Sequence, residues 1–210
     1  MDVLAKGIEN VERVKLTKTE LRSEELKLKR LQTYLPTLQL KKAMLQAEVS
    51  EAQALISALS QQFETTVERA KGFSVLLSDL RAGDLFASID IEKVVVKTEN
   101  IAGIDTPVYE QVIFTASSYA LFDTPLWIDS AVAVLRQLIE LREHVRTVKE
   151  KKRLLEEELK AVSIRVNLFE KIMIPRISST IKRIKIFLGD QQLASIAQAK
   201  VAKQKILGVS

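Results

Sequence analysis

"LKRLQTYLPTLQLKKAMLQAEVSEAQALISALSQQF", residues 28–63, places Leu28, Leu31, Leu35, Leu38, Lys42, Leu45, Val49, Ala52, Ile56, Leu59 and Phe63 at alternating steps of three and four. Such steps average 3.5 residues and line up one helix face, the repeat of a coiled-coil seam. The pattern reaches back through Leu21 to Val14 and forward to Thr66 and Ala70. A helix over positions 14–76 would be roughly 95 Å long at 1.5 Å per residue, beyond an ordinary globular helix.

A second run keeps the same spacing: Val134, Leu138, Leu141, Val145, Val148, Lys152, Leu155, Leu159, Val162, Val166, Phe169 and Met173. Neither apolar stripe is stable in water, and each is the natural partner of the other. The segment between them lets the chain reverse, so the expected arrangement is an antiparallel intrachain pair. A parallel homodimer through either stripe competes with it.

The middle of the chain breaks the helical period at "LRAGDL", residues 80–85. "IDIEKVVVKTENIAGIDTPVYEQVIFTA", residues 89–116, then reads as strand, turn, strand. Ile91, Val94, Val95 and Val96 are β-branched, as are Val108, Val112, Ile113 and Thr115, with Asn100 to Pro107 supplying turn residues. In "FDTPLWIDSA", Thr124 is the expected N-cap and Pro125 the first helical residue of the return. Trp127 and Tyr119 are expected to pack the hairpin against the coil. The chain thus reads as mostly α: a first long helix over 1–76, a middle region over 77–124 with a β-hairpin at about 91–115, and a second long helix over 125–210.

Two prolines fall inside the helical runs. Proline has no amide proton and clashes with the carbonyl four residues back, at a cost of ~3 kcal/mol in a helix interior. The antiparallel register places Pro36 and Pro175 within about two turns of each other along the coil, roughly 10 Å by helical rise. Both are expected to bend their helices at one level.

Composition narrows the function. The chain has 6 Gly, 4 Pro, 28% charged residues and 47% hydrophobic residues, a mixture for long helices rather than a turn-rich globule or a disordered chain. It has no cysteine, which excludes disulfides and thiolate chemistry. No apolar run approaches the roughly 20 residues of a membrane span, and the N-terminus lacks a signal-peptide core. A soluble, intracellular protein is expected. Net charge is +5 and uneven: residues 171–210 hold eight Lys/Arg against Asp190 alone, whereas residues 78–130 hold three against nine acids.

Reactive groupings are absent. The single histidine, His144, reads as a solvated helix residue, and one His with no Cys makes a zinc-type site untenable. No glycine-rich phosphate loop occurs. "EEE" at 156–158 points in different directions, with Glu156 to Lys160 as an i,i+4 pair. Lys182, Arg183 and Lys185 cluster, but only Phe187 could stack a base beside them, so protein contact is favoured over nucleic acid. No catalytic residue, cofactor or metal is expected.

Two stretches carry a resemblance. "VKLTKTELRSEELKLKRLQTYLPTLQLKKAMLQAEV" and "RVNLFEKIMIPRISSTIKRIKIFL" are similar to the D subunit of V-type ATPases and ATP synthases. Arg165-Val166-Asn167, Glu170, Ile174-Pro175-Arg176-Ile177 and Thr180-Ile181 are the most specific part, with Thr17-Lys18 and Leu21 in support. "ALFDTPLWID" resembles the re-entry into the second helix in bacterial members. "YLPTLQL" at 34–40 departs from the glycine-containing stretch of many members. The similarity spans nearly the whole chain.

The resemblance implies a central rotor shaft in a cytoplasmic complex peripheral to the membrane. Its coiled coil would insert into a ring of alternating catalytic A and B subunits. The middle region would lie nearer the membrane, beside the small F subunit and the C-type (d-like) socket subunit. ATP sites belong to the ring, and the shaft is not catalytic. Lys18, Arg165, Asn167, Glu170, Pro175, Arg176, Lys182, Arg183 and Lys185 are then the candidate contact residues. A coiled-coil scaffold or tether fits the heptads equally well.

Overall fold

Thr17 starts the first helix in the computed structural model, which describes residues 15–72, 89–115 and 127–208. Its Oγ1 accepts a hydrogen bond from the Glu20 N–H at 3.2 Å, satisfying one of the amides a helix start leaves unpaired. Helix α1 then runs from Lys18 to Lys71 without a break, with Arg69 and Lys71 in its last turn, where the helix dipole favours cations. Strands β1 (Ile91–Ile101) and β2 (Ile104–Phe114) follow. Helix α2 (Trp127–Leu168) leads through a π-helical turn (Phe169–Met173) into α3 (Ile174–Leu207). The fold is two long helical arms with an antiparallel two-stranded hairpin between them, as the heptads and the β-branched clusters predict.

The chain divides into two units, Lys41–Val162 and Met1–Leu40 with Ser163–Ser210. In the first, Ala52, Ile56 and Leu59 of α1 pack with Val148 of α2, and Leu141 and Val145 close around them. These are the seam positions read from the sequence. Lys41 Nζ meets Glu158 Oε1 at 2.7 Å and Glu48 Oε2 meets Lys151 Nζ at 3.9 Å. Seven residues forward on one helix match seven back on the other, so the pair is antiparallel and intrachain. In the other unit, Lys185 Nζ reaches Glu25 Oε1 at 2.8 Å, and Ile177, Ile181 and Ile184 are buried.

The hairpin is tighter than expected. Asn100 to Pro107 does not form a long turn: the strands continue to Ile101 and resume at Ile104, leaving Ala102 and Gly103 as a two-residue loop. Both have positive φ, 52° and 86°, the geometry of a type I′ turn that matches strand twist. Asn100 anchors the loop, its Oδ1 accepting from the Gly103 N–H at 3.1 Å and its amide donating to Asp105 at 2.7 Å. Pro107 lies within β2 opposite Thr98; in a two-stranded sheet every strand is an edge, so a missing donor is tolerated.

A lone hairpin is marginal in water, and here it has a helix to lean on. Tyr109 of β2 stacks on His144 of α2 with ring centroids 4.6 Å apart and planes 19° apart. The Arg136 guanidinium lies 5.0 Å over the Phe114 ring, and Lys151 Nζ is 3.7 Å from Glu99 Oε2. Ile128, Ala131 and Val132 form a small core with Trp127, Ile89 and Leu135. Trp127 thus packs against the start of α2, while Tyr119, Thr124 and Pro125 lie outside the described residues. His144 corrects the sequence reading: it is half-buried under a tyrosine, not a solvated helix residue.

Candidate functional site

The seam of α1 keeps its steps of three and four through Pro36. Leu21, Glu24, Leu28, Leu31, Leu35 and Leu38 are all at least partly buried, and Pro36 points outward. Thr37 Oγ1 donates to the Tyr34 carbonyl at 2.7 Å beside it. Glu24 occupies a seam position the apolar pattern passes over. It is 8% exposed, and the Lys27 ammonium sits 2.6 Å from its carboxylate. Buried acids of this kind are costly unless paired, and they fix register.

The second arm behaves differently. Val166, Phe169 and Met173 continue the seam, and unbroken steps would next bury Arg176, Thr180 and Arg183. Ile177, Ile181 and Ile184 are buried instead, each one residue later, while Arg176 and Arg183 are exposed. The extra residue is taken up in the π-helical turn, where the Ile174 N–H bonds the Phe169 carbonyl five residues back. Pro175 follows directly, in the first turn of α3. The two prolines are thus not equivalent: only Pro175 adjoins an interruption. The signal was legible in the spacing, since Met173, Ile177 and Ile181 are separated by two successive steps of four.

The candidate contact residues all lie in one unit and all face solvent: Lys18, Arg165, Asn167, Glu170, Pro175, Arg176, Lys182, Arg183 and Lys185. They do not form a single cluster. Arg176 and Arg183 are seven apart and share one flank of the α3 seam, whereas Lys182 and Lys185 are three apart on the other. Lys185 is engaged with Glu25. Arg176 borders a groove of about 710 Å³ with Glu20, Glu24, Leu168, Ile172 and Met173.

Beyond Ile184 the character of α3 changes. From Gln191 to Gly208 every residue is exposed, and "QQLASIAQA", residues 191–199, contains no charge. Leu193, Ile196, Val201, Ile206 and Leu207 are 51–74% exposed and lie on several faces of the helix. Among the described residues no helix is long and apolar enough to cross a membrane. No three His, Asp or Glu side chains there gather closely enough to hold a metal.

Residues 20–204 match the family model that describes the D subunit of ATP synthase. The chain belongs to that family. It is 46% identical over 194 residues to the V-type ATP synthase D subunit of Chlamydia felis, covering 92% of this chain and 93% of the relative. It is 47% identical over 194 residues to that of Chlamydia caviae, with the same coverage. A Chlamydia muridarum relative of the same name is 46% identical over 197 residues, 92% of this chain and 96% of its own length. The region matched, residues 20–204, includes the π-turn, Pro36 and Pro175, the hairpin and the whole uncharged stretch 191–199.

Proposed function

We propose that this chain is the non-catalytic central shaft of a V-type ATPase or ATP synthase, coupling nucleotide chemistry in an A/B ring to ion movement through a membrane rotor. The observation that carries the reading is the tip of α3. Leu193, Ile196, Val201, Ile206 and Leu207 stand exposed there, apolar surface of the kind that gains from being covered, and residues 191–199 carry no charge. A ring closing around the tip supplies that enclosure without a fixed contact, as a rotating shaft requires. The paired helices give stiffness, and their unequal seams give the asymmetry that lets a shaft present different faces to successive ring subunits.

The hairpin end, in this reading, lies toward the membrane beside the F subunit and the C-type socket subunit, on the cytoplasmic side. Lys182, Arg183 and Lys185 sit just below the uncharged tip, where they can slide against ring carboxylates. Co-purification tests the assignment: stoichiometric recovery with A, B and F subunits supports the shaft, and a chain that only self-associates supports a tether. Charge reversal at Lys182, Arg183 and Lys185 is expected to weaken assembly or coupled turnover. Unchanged values for both would remove these residues from the mechanism.

A further inference from the structure

We propose that the π-turn at Phe169–Met173 is a one-residue register skip imposed by the seam, and that it forms the compliant joint of the second arm, with Pro175 marking its place rather than causing it. The α1 seam advances by threes and fours through Pro36 without a skip, so proline alone does not produce a π-turn in this pair. The second arm carries one residue more between Val166 and Ile177 than that rhythm allows. Steps of three and four would run one residue, about 100° around the helix, behind Ile177, Ile181 and Ile184, and a single π-turn absorbs that residue.

The sequence also confines the skip. Placed before Phe169, it would swing Glu170 onto the seam; placed after Pro175, it would swing Arg176 and Thr180 there. Only between them do both registers offer apolar side chains, Met173 in one and Ile174 in the other. The turn has no buried residue of its own. Its α-type hydrogen bonding is interrupted and its seam residues Phe169 and Met173 are only partly buried, so bending and twisting concentrate there.

Amide hydrogen exchange on the full-length chain in its assembled complex tests this. Amides of residues 170–174 and 176 should exchange about tenfold or more faster than those of the flanking turns. Pro175→Ala alone should keep the fast segment, because the register mismatch persists. Deleting Ile172 in the Pro175→Ala background places Val166, Phe169, Ile174, Ile177, Ile181 and Ile184 on unbroken steps, so the fast segment should disappear. Deleting Ser179 instead should keep it and add lost protection around Ile181 and Ile184. Slow exchange in Pro175→Ala would make proline the cause and overturn the proposal. So would a deletion of Ile172 that stays fast or fails to fold.

Discussion

His144 sits where an aromatic stack, a helix and a strand meet. Burial against Tyr109 lowers its pKa below the ordinary histidine value, because the charged ring would lose water. The Tyr109 hydroxyl is pushed up by the same burial and by the Glu140 carboxylate, partly offset by a hydrogen bond with the Val112 backbone, so it stays neutral. With a lowered pKa, the unfolded chain binds a proton that the folded chain resists. Stability is therefore full above about pH 6.5 and falls as pH drops toward the folded pKa. Thermal melts from about pH 7.5 to about pH 5 should show a steeper acid loss for the native chain than for His144→Phe, which keeps the stack and removes the titration. Parallel curves would mean the ring does not resist its proton. At a second residue the packing argument is simpler. Leu155 is completely buried and Leu168 is 40% exposed. Leu155→Ala should cost roughly 2–5 kcal/mol in urea unfolding, and Leu168→Ala no more than about 0.5 kcal/mol.

Among the described elements, the hairpin turn is built against its residue preferences at one position. Ala102 has φ 52°, a region an L-residue with a Cβ enters at a cost of roughly 1–2 kcal/mol. Gly103 beside it has no such steric penalty. Ala102→Gly should therefore stabilise the hairpin by about 1 kcal/mol, seen as a higher melting temperature and slower exchange across β1 and β2. A lower melting temperature would show that the turn relies on alanine's reduced freedom in the unfolded chain. The helical arms were legible because a seam repeats its signal over many turns. Val94 to Val96 and Val112 marked the strands in the same way. The turn's length was not legible, because Asn100 and Pro107 are ordinary turn formers and only pairing with the opposite strand reveals that they sit inside the ladder. The π-turn was written in the spacing of Met173, Ile177 and Ile181, but a proline nearby offered a local explanation that hid the non-local one. Glu24 was hidden for a similar reason: a search for apolar residues does not see an acid on the seam whose charge is met by Lys27 one turn on.

For the molecule as a whole, the proposed function separates from stability along the chain. The last buried residue of α3 is Ile184, and every residue from Gln191 to Gly208 is exposed. A chain ending at Asp190 therefore loses no buried residue among those described, and its melting temperature should stay within about 2 °C of the full-length value. Its solution behaviour should improve, because Leu193, Ile196, Val201, Ile206 and Leu207 form an exposed apolar surface of the kind that drives association when uncovered. Light scattering should report a more uniform monomer for the truncated chain. In reconstitution with A and B subunits the order should invert: the full-length chain binds the ring and sustains coupled turnover, and the shortened chain binds it weakly or not at all. Should the truncated chain melt many degrees lower, the tip would be part of the folding core. Should it join the ring and couple as well as the full chain, enclosure of the tip would not be what holds the shaft. Equal melting with lost assembly is the outcome that a fully exposed helix end demands.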